Sequence, residues 1–245
     1  LPWALAVLGV SASDSLPALA AVAGDASQRR YFRFAHAGRS YVVVEAPPAT
    51  EKNDAFVRIR ALLAHAGVKV PELLGVDMDR GFLLLEDLGD QLLLPVLDRA
   101  SVDGHYRHAF GVLADMAAVQ TDATTLGDYD HALLSEELGR FQQWFVQGLL
   151  GYMPTATEQT LLRSLFALLI DSALEQPRVL VHRDFHSRNL MLLNHDELAV
   201  IDFQDAVVGP VTYDVVSLLR DCYIKWPVEQ VREWALVYRD LLCAR

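Results

Sequence analysis

The chain has 245 residues, of which 52% are hydrophobic and 22% charged, and a formal net charge of −11. Such a composition belongs to a folded protein with room for one or two lobes, not to a disordered segment. The acidic balance argues against a nucleic-acid partner, whose phosphates require a Lys/Arg surface, and two cysteines, Cys222 and Cys243, give no disulfide framework and fit a reducing cytoplasm.

The first ten residues are largely apolar, but they carry no basic leader segment or small-residue cleavage site and are too short to span a bilayer. They read as a short helix lying on a sheet. No later stretch reads as a membrane span, and a start without Met suggests trimming. Residues 31–34 and 41–45 are aromatic and β-branched runs around 35–38, the pattern of a hairpin. Within 54–66, Phe56, Ile59, Leu62 and Leu63 form a helical stripe that Gly67 ends. Pro71 opens an extended stretch in which 73–76 and 82–86 flank a second turn at 77–81. The order β-β-α-β-β predicts a small antiparallel sheet with one helix.

After Asp87, Leu88 and Gly89 the pattern turns to long helices. Ser101 is placed to cap one that runs to about residue 121, and a second covers 135–150. Thr155 with Glu158 makes a capping box ahead of 161–174. Short strands follow at 179–182, 190–193 and 198–201, with 194–197 as the turn between the last two. Helices are expected at about 213–222 and 228–244. The fold class is α+β in two lobes: a β-rich lobe over residues 1–88 and a helical lobe with a small β insertion over residues 89–245.

The chemistry concentrates in residues 182–189, which fit H-x-D-x-x-x-x-N, and in the next strand end, Ile201, Asp202 and Phe203. Phosphoryl transfer requires a carboxylate to orient the acceptor hydroxyl and take its proton, and oxygen ligands to hold Mg²⁺ against the phosphates. Asp184 supplies the first. Asn189 supplies a neutral metal oxygen and Asp202 a charged one, both suited to a hard cation. His182 and His186 are expected to hold the loop by hydrogen bonds. A zinc site on them lacks a nearby cysteine or third histidine.

These motifs resemble the aminoglycoside phosphotransferase and choline kinase superfamily, of protein-kinase-like fold, over most of the chain. Residues 23–33, 45–48, 81–89 and 201–206 resemble one branch of it, the anomeric sugar kinases of cell-wall recycling, which act at C1 of N-acetylmuramate and N-acetylglucosamine. The resemblance implies ATP and Mg²⁺ as cofactors, an amino-sugar acceptor, and no nucleic-acid or membrane partner. It implies that Gly24, Asp25, Ala26 and Ser27 cover the nucleotide phosphates with backbone amides, with Arg29 or Arg30 adding charge. Glu86 and Leu88 would offer backbone groups to adenine, and Asp214 would brace the catalytic loop. Arg183 or Arg188 would meet a substrate carboxylate or else brace the loop. Asp205 and Tyr213 would lie on the acceptor side, with Trp144 and Trp226 as further stacking candidates.

The chain departs from that pattern in two places. The third strand, 41–45, has no Lys to pair the phosphates, which leaves Arg29, Arg30, Arg33 or Lys52 for that task. The family's helical lobe extends beyond a point such as Arg245, so the resemblance implies a lobe cut short. The alternative readings are an aminoglycoside- or choline-type kinase and a nucleotide-binding pseudokinase.

Overall fold

Tight pairing across Ala37 and Gly38 organises the first part of the protein. In this computed structural model, which describes residues 1–10, 16–22, 28–120, 123–194 and 197–245, β2 (Arg30–His36) and β3 (Arg39–Glu45) pair antiparallel up to His36 and Arg39. The connection is therefore two residues long, not the expected four. Ala37 and Gly38 both have positive φ, 49° and 75°, as a type I′ turn requires to match the twist of its strands. A short β1 (Ala20–Val22), not foreseen from the sequence, pairs with β2, and β4 (Leu73–Asp77) with β5 (Phe82–Glu86) completes a sheet in the order β1-β2-β3-β5-β4. Gly81, at φ 68°, ends the second turn; a Cβ there would stand 2.0 Å from the Ala46 carbonyl oxygen.

Strand alternation gives the sheet two distinct faces. On one, Phe34, Tyr41, Val43 and Leu84 bury against Ala4 and Leu5 of α1 (Pro2–Val7), so the apolar N-terminus packs as expected. On the other, Val44, Leu83 and Leu85 pack on Phe56, Ile59 and Leu63 of α2 (Asn53–His65).

The remaining helices are α3 (Val102–Ala117), α4 (Ala123–Leu126), α5 (His131–Arg140), α6 (Ala156–Leu174), α7 (Tyr213–Leu219) and α8 (Val228–Cys243). The central α3 buries Tyr106 and Phe110 against Trp226, Trp234 and Tyr238, and the Trp226 indole donates to the Tyr106 hydroxyl at 3.0 Å. Trp226 is thereby a core residue and not a stacking surface. Ser101 stands at the N-cap of α3, but its hydroxyl donates to the Val96 carbonyl (2.8 Å) rather than capping the helix. Thr155 and Glu158 do form the expected capping box of α6. The single helix expected over 135–150 is instead α5, capped by Asp130, followed by a π-helical stretch, Phe141–Leu149. Trp144 on that stretch is exposed.

Two two-stranded ribbons complete the fold: β6 (Arg178–Val181) with β9 (Val207–Pro210), and β7 (Leu190–Leu192) with β8 (Leu198–Val200). Strand β9 was not foreseen. The turn expected at 194–197 includes His195 and Asp196, which lie outside the described residues. Among the described residues no helix is long and apolar enough to cross a membrane.

Candidate active site

A cleft of about 310 Å³ opens between the sheet and the helical part. Val22, Tyr31, Arg33, Val42 and Leu85 line it from the sheet, and Leu92, Met191 and Ile201 from below; Glu86, Leu88 and Gly89 close one end. Asn189 and Asp202 also line it, so the sheet connector and the two expected metal ligands share one cavity.

The loop 182–189 leaves β6 and enters β7, and buried carboxylates hold it. Asp214, in the first turn of α7, accepts from the backbone amides of His182 (2.7 Å) and Arg183 (3.0 Å). Burial pushes its carboxyl up to about 7, against those two bonds. His182 is fully enclosed; its Nδ1 accepts from the Asp184 amide (3.2 Å) and its Nε2 lies 3.0 Å from the Ile201 carbonyl. Burial depresses its pKa to about 4, so the ring is neutral and spends both nitrogens on the backbone. His186 holds the loop differently from expectation. Its amide donates to the Asp184 carbonyl (3.0 Å) and its carbonyl accepts from the Asn189 amide (2.9 Å), whereas its enclosed ring Nδ1 makes no hydrogen bond.

Asp184 itself is solvent-accessible. Partial burial first, and then the nearby Asp202 charge, raise its carboxyl above the ordinary range. The Asn189 Nδ2 donates to the Asp184 carbonyl (2.9 Å), which leaves the amide oxygen for the cleft. Asp202 Oδ1 accepts from Gln204 (2.7 Å). Phe203 is buried against Phe56 of α2, ring centroids 4.9 Å apart. Arg183 and Asp202 both take left-handed backbone, φ 79° and 65°, a conformation that non-glycine residues hold only where the surroundings impose it.

The residues fit a hard divalent cation. Asn189 and Asp202 present one neutral and one charged oxygen, and no group of three or more His, Cys, Asp or Glu side chains forms a closed metal cage among the described residues. That open set suits Mg²⁺, which keeps waters and substrate phosphates as its other ligands.

The basic residues separate clearly. Alternation along β2 puts Arg30 on the α1 face with Phe32, opposite Tyr31 and Arg33, and it pairs there with its cross-strand partner Glu45. It points away from the cleft, and so does Glu45; the cleft-side positions of β3 are Val42 and Val44. Arg33 grips the connector, with Nε 2.6 Å from Asp87 Oδ2 and Nη2 donating to Asp87 Oδ1 (2.9 Å) and to the Gly89 carbonyl (3.1 Å). Arg29 is buried beside Glu51, 3.2 Å away, and over the Phe56 ring. Lys52 reaches Asp205 at 2.5 Å. Gly24, Asp25, Ala26 and Ser27 lie outside the described residues. At the connector, the Glu86 carboxylate is held by Lys69 Nζ (2.7 Å) and the Glu72 amide (3.1 Å).

Among the residues expected on the acceptor side, Arg183 Nη2 donates to Glu137 Oε1 at 2.5 Å and its guanidinium lies over Tyr129. Glu137 also accepts from the hydroxyls of Tyr129 and Tyr213. Burial pushes the Glu137 carboxyl up, but the bonds from Tyr129, Arg183 and Tyr213 outweigh it and leave it below the usual range. Arg183 is therefore engaged by the protein, while Arg188 is exposed, lines the cleft and stacks its guanidinium 4.9 Å from the Tyr223 ring centre. A second hollow of about 620 Å³ lies behind Glu137, walled by Tyr129, Tyr213, Thr212 and Arg220, and does not reach Asp184.

Glu137, Glu51 and Asp221 are given no role by the sequence. Each meets its partner, Arg183, Arg29 or Ser187, from a distant segment, so no local spacing announces it; only the pairing of an acid with a motif residue in space does. Gln204 lies within the stretch 201–206 that carries the resemblance, and its bond to Asp202 is what the structure adds.

A β-sheet over a helical part, with a cleft between them ending in an H-x-D-x-x-x-x-N loop and a following aspartate, is the arrangement of the protein-kinase-like fold. The chain belongs to the phosphotransferase enzyme family, whose sequence pattern matches residues 18–244. The N-acetylmuramate/N-acetylglucosamine kinase of Pseudomonas putida is 45% identical over 216 residues, covering 88% of this chain and 63% of that protein. The protein of the same name from Neisseria meningitidis is 36% identical over 221 residues, covering 88% of this chain and 65% of its own length. The chain thus spans less than two thirds of these curated relatives. Among solved structures, the choline kinase LicA from Streptococcus pneumoniae aligns with a TM-score of 0.65 at 16% identity, covering 91% of this chain and 75% of that one. An ADP-bound aminoglycoside phosphotransferase aligns with a TM-score of 0.63 at 17% identity, covering 92% and 78%. Both share the protein-kinase-like fold.

Proposed function

We propose that the protein transfers the γ-phosphoryl group of ATP to a sugar hydroxyl, the C1 hydroxyl of N-acetylmuramate or N-acetylglucosamine. The observation that carries this reading is that Asn189 and Asp202 line one cleft while Asp184 stands beside them, its carbonyl accepting from Asn189 Nδ2 and its carboxyl raised in part by the Asp202 charge, and the names of the relatives at 45% and 36% identity direct it toward amino sugars. In this reading the chain divides near residues 88 and 89 into a nucleotide-holding lobe and a catalytic lobe.

Adenine lies between Val42 and Leu85 above and Met191 and Ile201 below, and meets the backbone of Glu86 and Leu88. Asn189 and Asp202 hold Mg²⁺, which when bound neutralises charge on the phosphates. Arg29 and Lys52 stand in for the missing strand lysine. Asp184 orients the acceptor hydroxyl and takes its proton as the new O–P bond forms and the bond to ADP breaks; its raised pKa brings it closer to the range useful for a base. The test is ATP consumption over a panel of amino sugars, aminoglycosides and choline, with product position read by NMR. Transfer to aminoglycosides or choline but to no sugar would sink the acceptor assignment.

A further inference from the structure

This inference rests on the proposed role of Asn189. We propose that Asp221 is a positioning residue for the Asn189 end of the catalytic loop, acting through Ser187, and that α7 is a spacer setting the distance between the loop's two ends.

Asp221 Oδ2 accepts from both the amide (2.9 Å) and the hydroxyl (2.5 Å) of Ser187, and its Oδ1 accepts from the Tyr223 amide (2.9 Å). Ser187 has no exposed surface and Asp221 has 7%. Among the described residues no cation pairs with Asp221, so a carboxylate is buried for the sake of three donors. Burial of that group is tolerable because the three donors satisfy it, and the two from Ser187 tie it to the loop. What they hold is the back of the loop. The Ser187 carbonyl accepts from the Leu94 amide (3.1 Å), and Tyr223 is packed by His186 edge-on and by Arg188 through its guanidinium. Every residue from His186 to Arg188 therefore leans on the segment 221–223.

The front of the loop is held by Asp214 through the amides of His182 and Arg183. Asp214 lies in the first turn of α7 and Asp221 just beyond its end. A helix of that length spans roughly 10 Å. The two carboxylates are fixed to one rigid element and grip the loop on either side of Asp184. Asp214 governs the side leading into Asp184, and Asp221 the side leading to Asn189.

The two ends can be separated by experiment. The rise in melting temperature given by ADP is measured as a function of Mg²⁺ for the wild type, Ser187→Ala, Asp221→Asn and the double variant, after cooperative unfolding of each is verified. Ser187→Ala removes one bond only and serves if Asp221→Asn does not fold. The expected result is that each single variant needs about 10- to 100-fold more Mg²⁺ for the same rise, the usual effect of losing a group that orients a metal ligand. The shift with ADP alone stays at the wild-type value, and the double variant is no worse than Asp221→Asn because the pair acts as one link. A wild type with no Mg²⁺-dependent rise overturns the proposed function and this inference with it. A responsive wild type matched by its variants overturns the positioning role alone.

Discussion

Lys52 Nζ lies 2.5 Å from Asp205 Oδ1, joining the start of α2 to the segment that follows Asp202. Burial raises the Asp205 carboxyl, and the hydrogen bond and charge of Lys52 outweigh it, so that Asp205 stays ionised below the usual carboxylate range. Both side chains are substantially open to water, so the pair contributes within about 1 kcal/mol to stability. Lys52→Ala is therefore expected to leave the urea midpoint nearly unchanged while raising the KM for ATP, and to reduce the dependence of that KM on salt. Steady-state rates at low and high ionic strength check this.

Asp184→Asn is expected to lower kcat by about 10²- to 10⁴-fold, the range for loss of a general base, while ADP binding persists. Stability should not fall. A carboxyl whose folded pKa is raised favours its protonated form in the fold, so at neutral pH the ionised group opposes folding, and removing the charge removes that opposition. Calorimetry on the variant decides the second point independently of the first.

Arg29 and Glu51 form an enclosed pair, with side chains 2% and 10% exposed. Removing one member of such a pair withdraws a buried counter-charge, at a cost of up to about 3–5 kcal/mol. Glu51→Ala should show that loss in chemical denaturation. Replacing both residues by apolar ones of similar size should recover most of the stability without recovering activity.

His182 and Asp214 are neighbours with opposite linkage to pH. For His182 the folded pKa of about 4 lies below its unbound value of 6.5, so the unfolded chain takes up a proton first and stability falls as pH drops through that window. For Asp214 the folded value of about 7 lies above 3.8, so the folded state holds the extra proton and stability falls as pH rises. The two slopes oppose each other between about pH 4 and 6.5. Asp214→Asn should steepen the loss of melting temperature on acidification, and His182→Gln should flatten or reverse it. Parallel curves for both variants would contradict the assignment.

Much of the architecture was legible because its signals are local. The Thr155–Glu158 box, the α2 stripe and the hairpin around Gly38 each lie within a few residues, where period and turn chemistry act. Strands β1 and β9 were not legible. Each is three or four residues long, and β9 ends in Gly209 and Pro210, which read as a turn until β6 lies alongside. The site divides the same way. Asp184, Asn189 and Asp202 announce themselves by spacing, but the acids that hold the residues around them come from distant segments: Glu137 for Arg183, Asp221 for Ser187, Glu51 for Arg29. The direction of Arg30 follows from strand alternation once the register is fixed, and a register is a property of two strands rather than one.

Asp202 sits in left-handed backbone at φ 65°. For a residue with a Cβ that costs up to about 1–2 kcal/mol, less for an aspartate, whereas glycine enters the region freely and gives back about 0.5–1 kcal/mol in chain entropy. With Asp202 in its proposed role as a metal ligand, directed evolution toward heat resistance alone would admit Asp202→Gly at little cost in stability and would collect silent proteins. A library of this chain needs a turnover filter at every round, because selection for durability alone does not protect this codon.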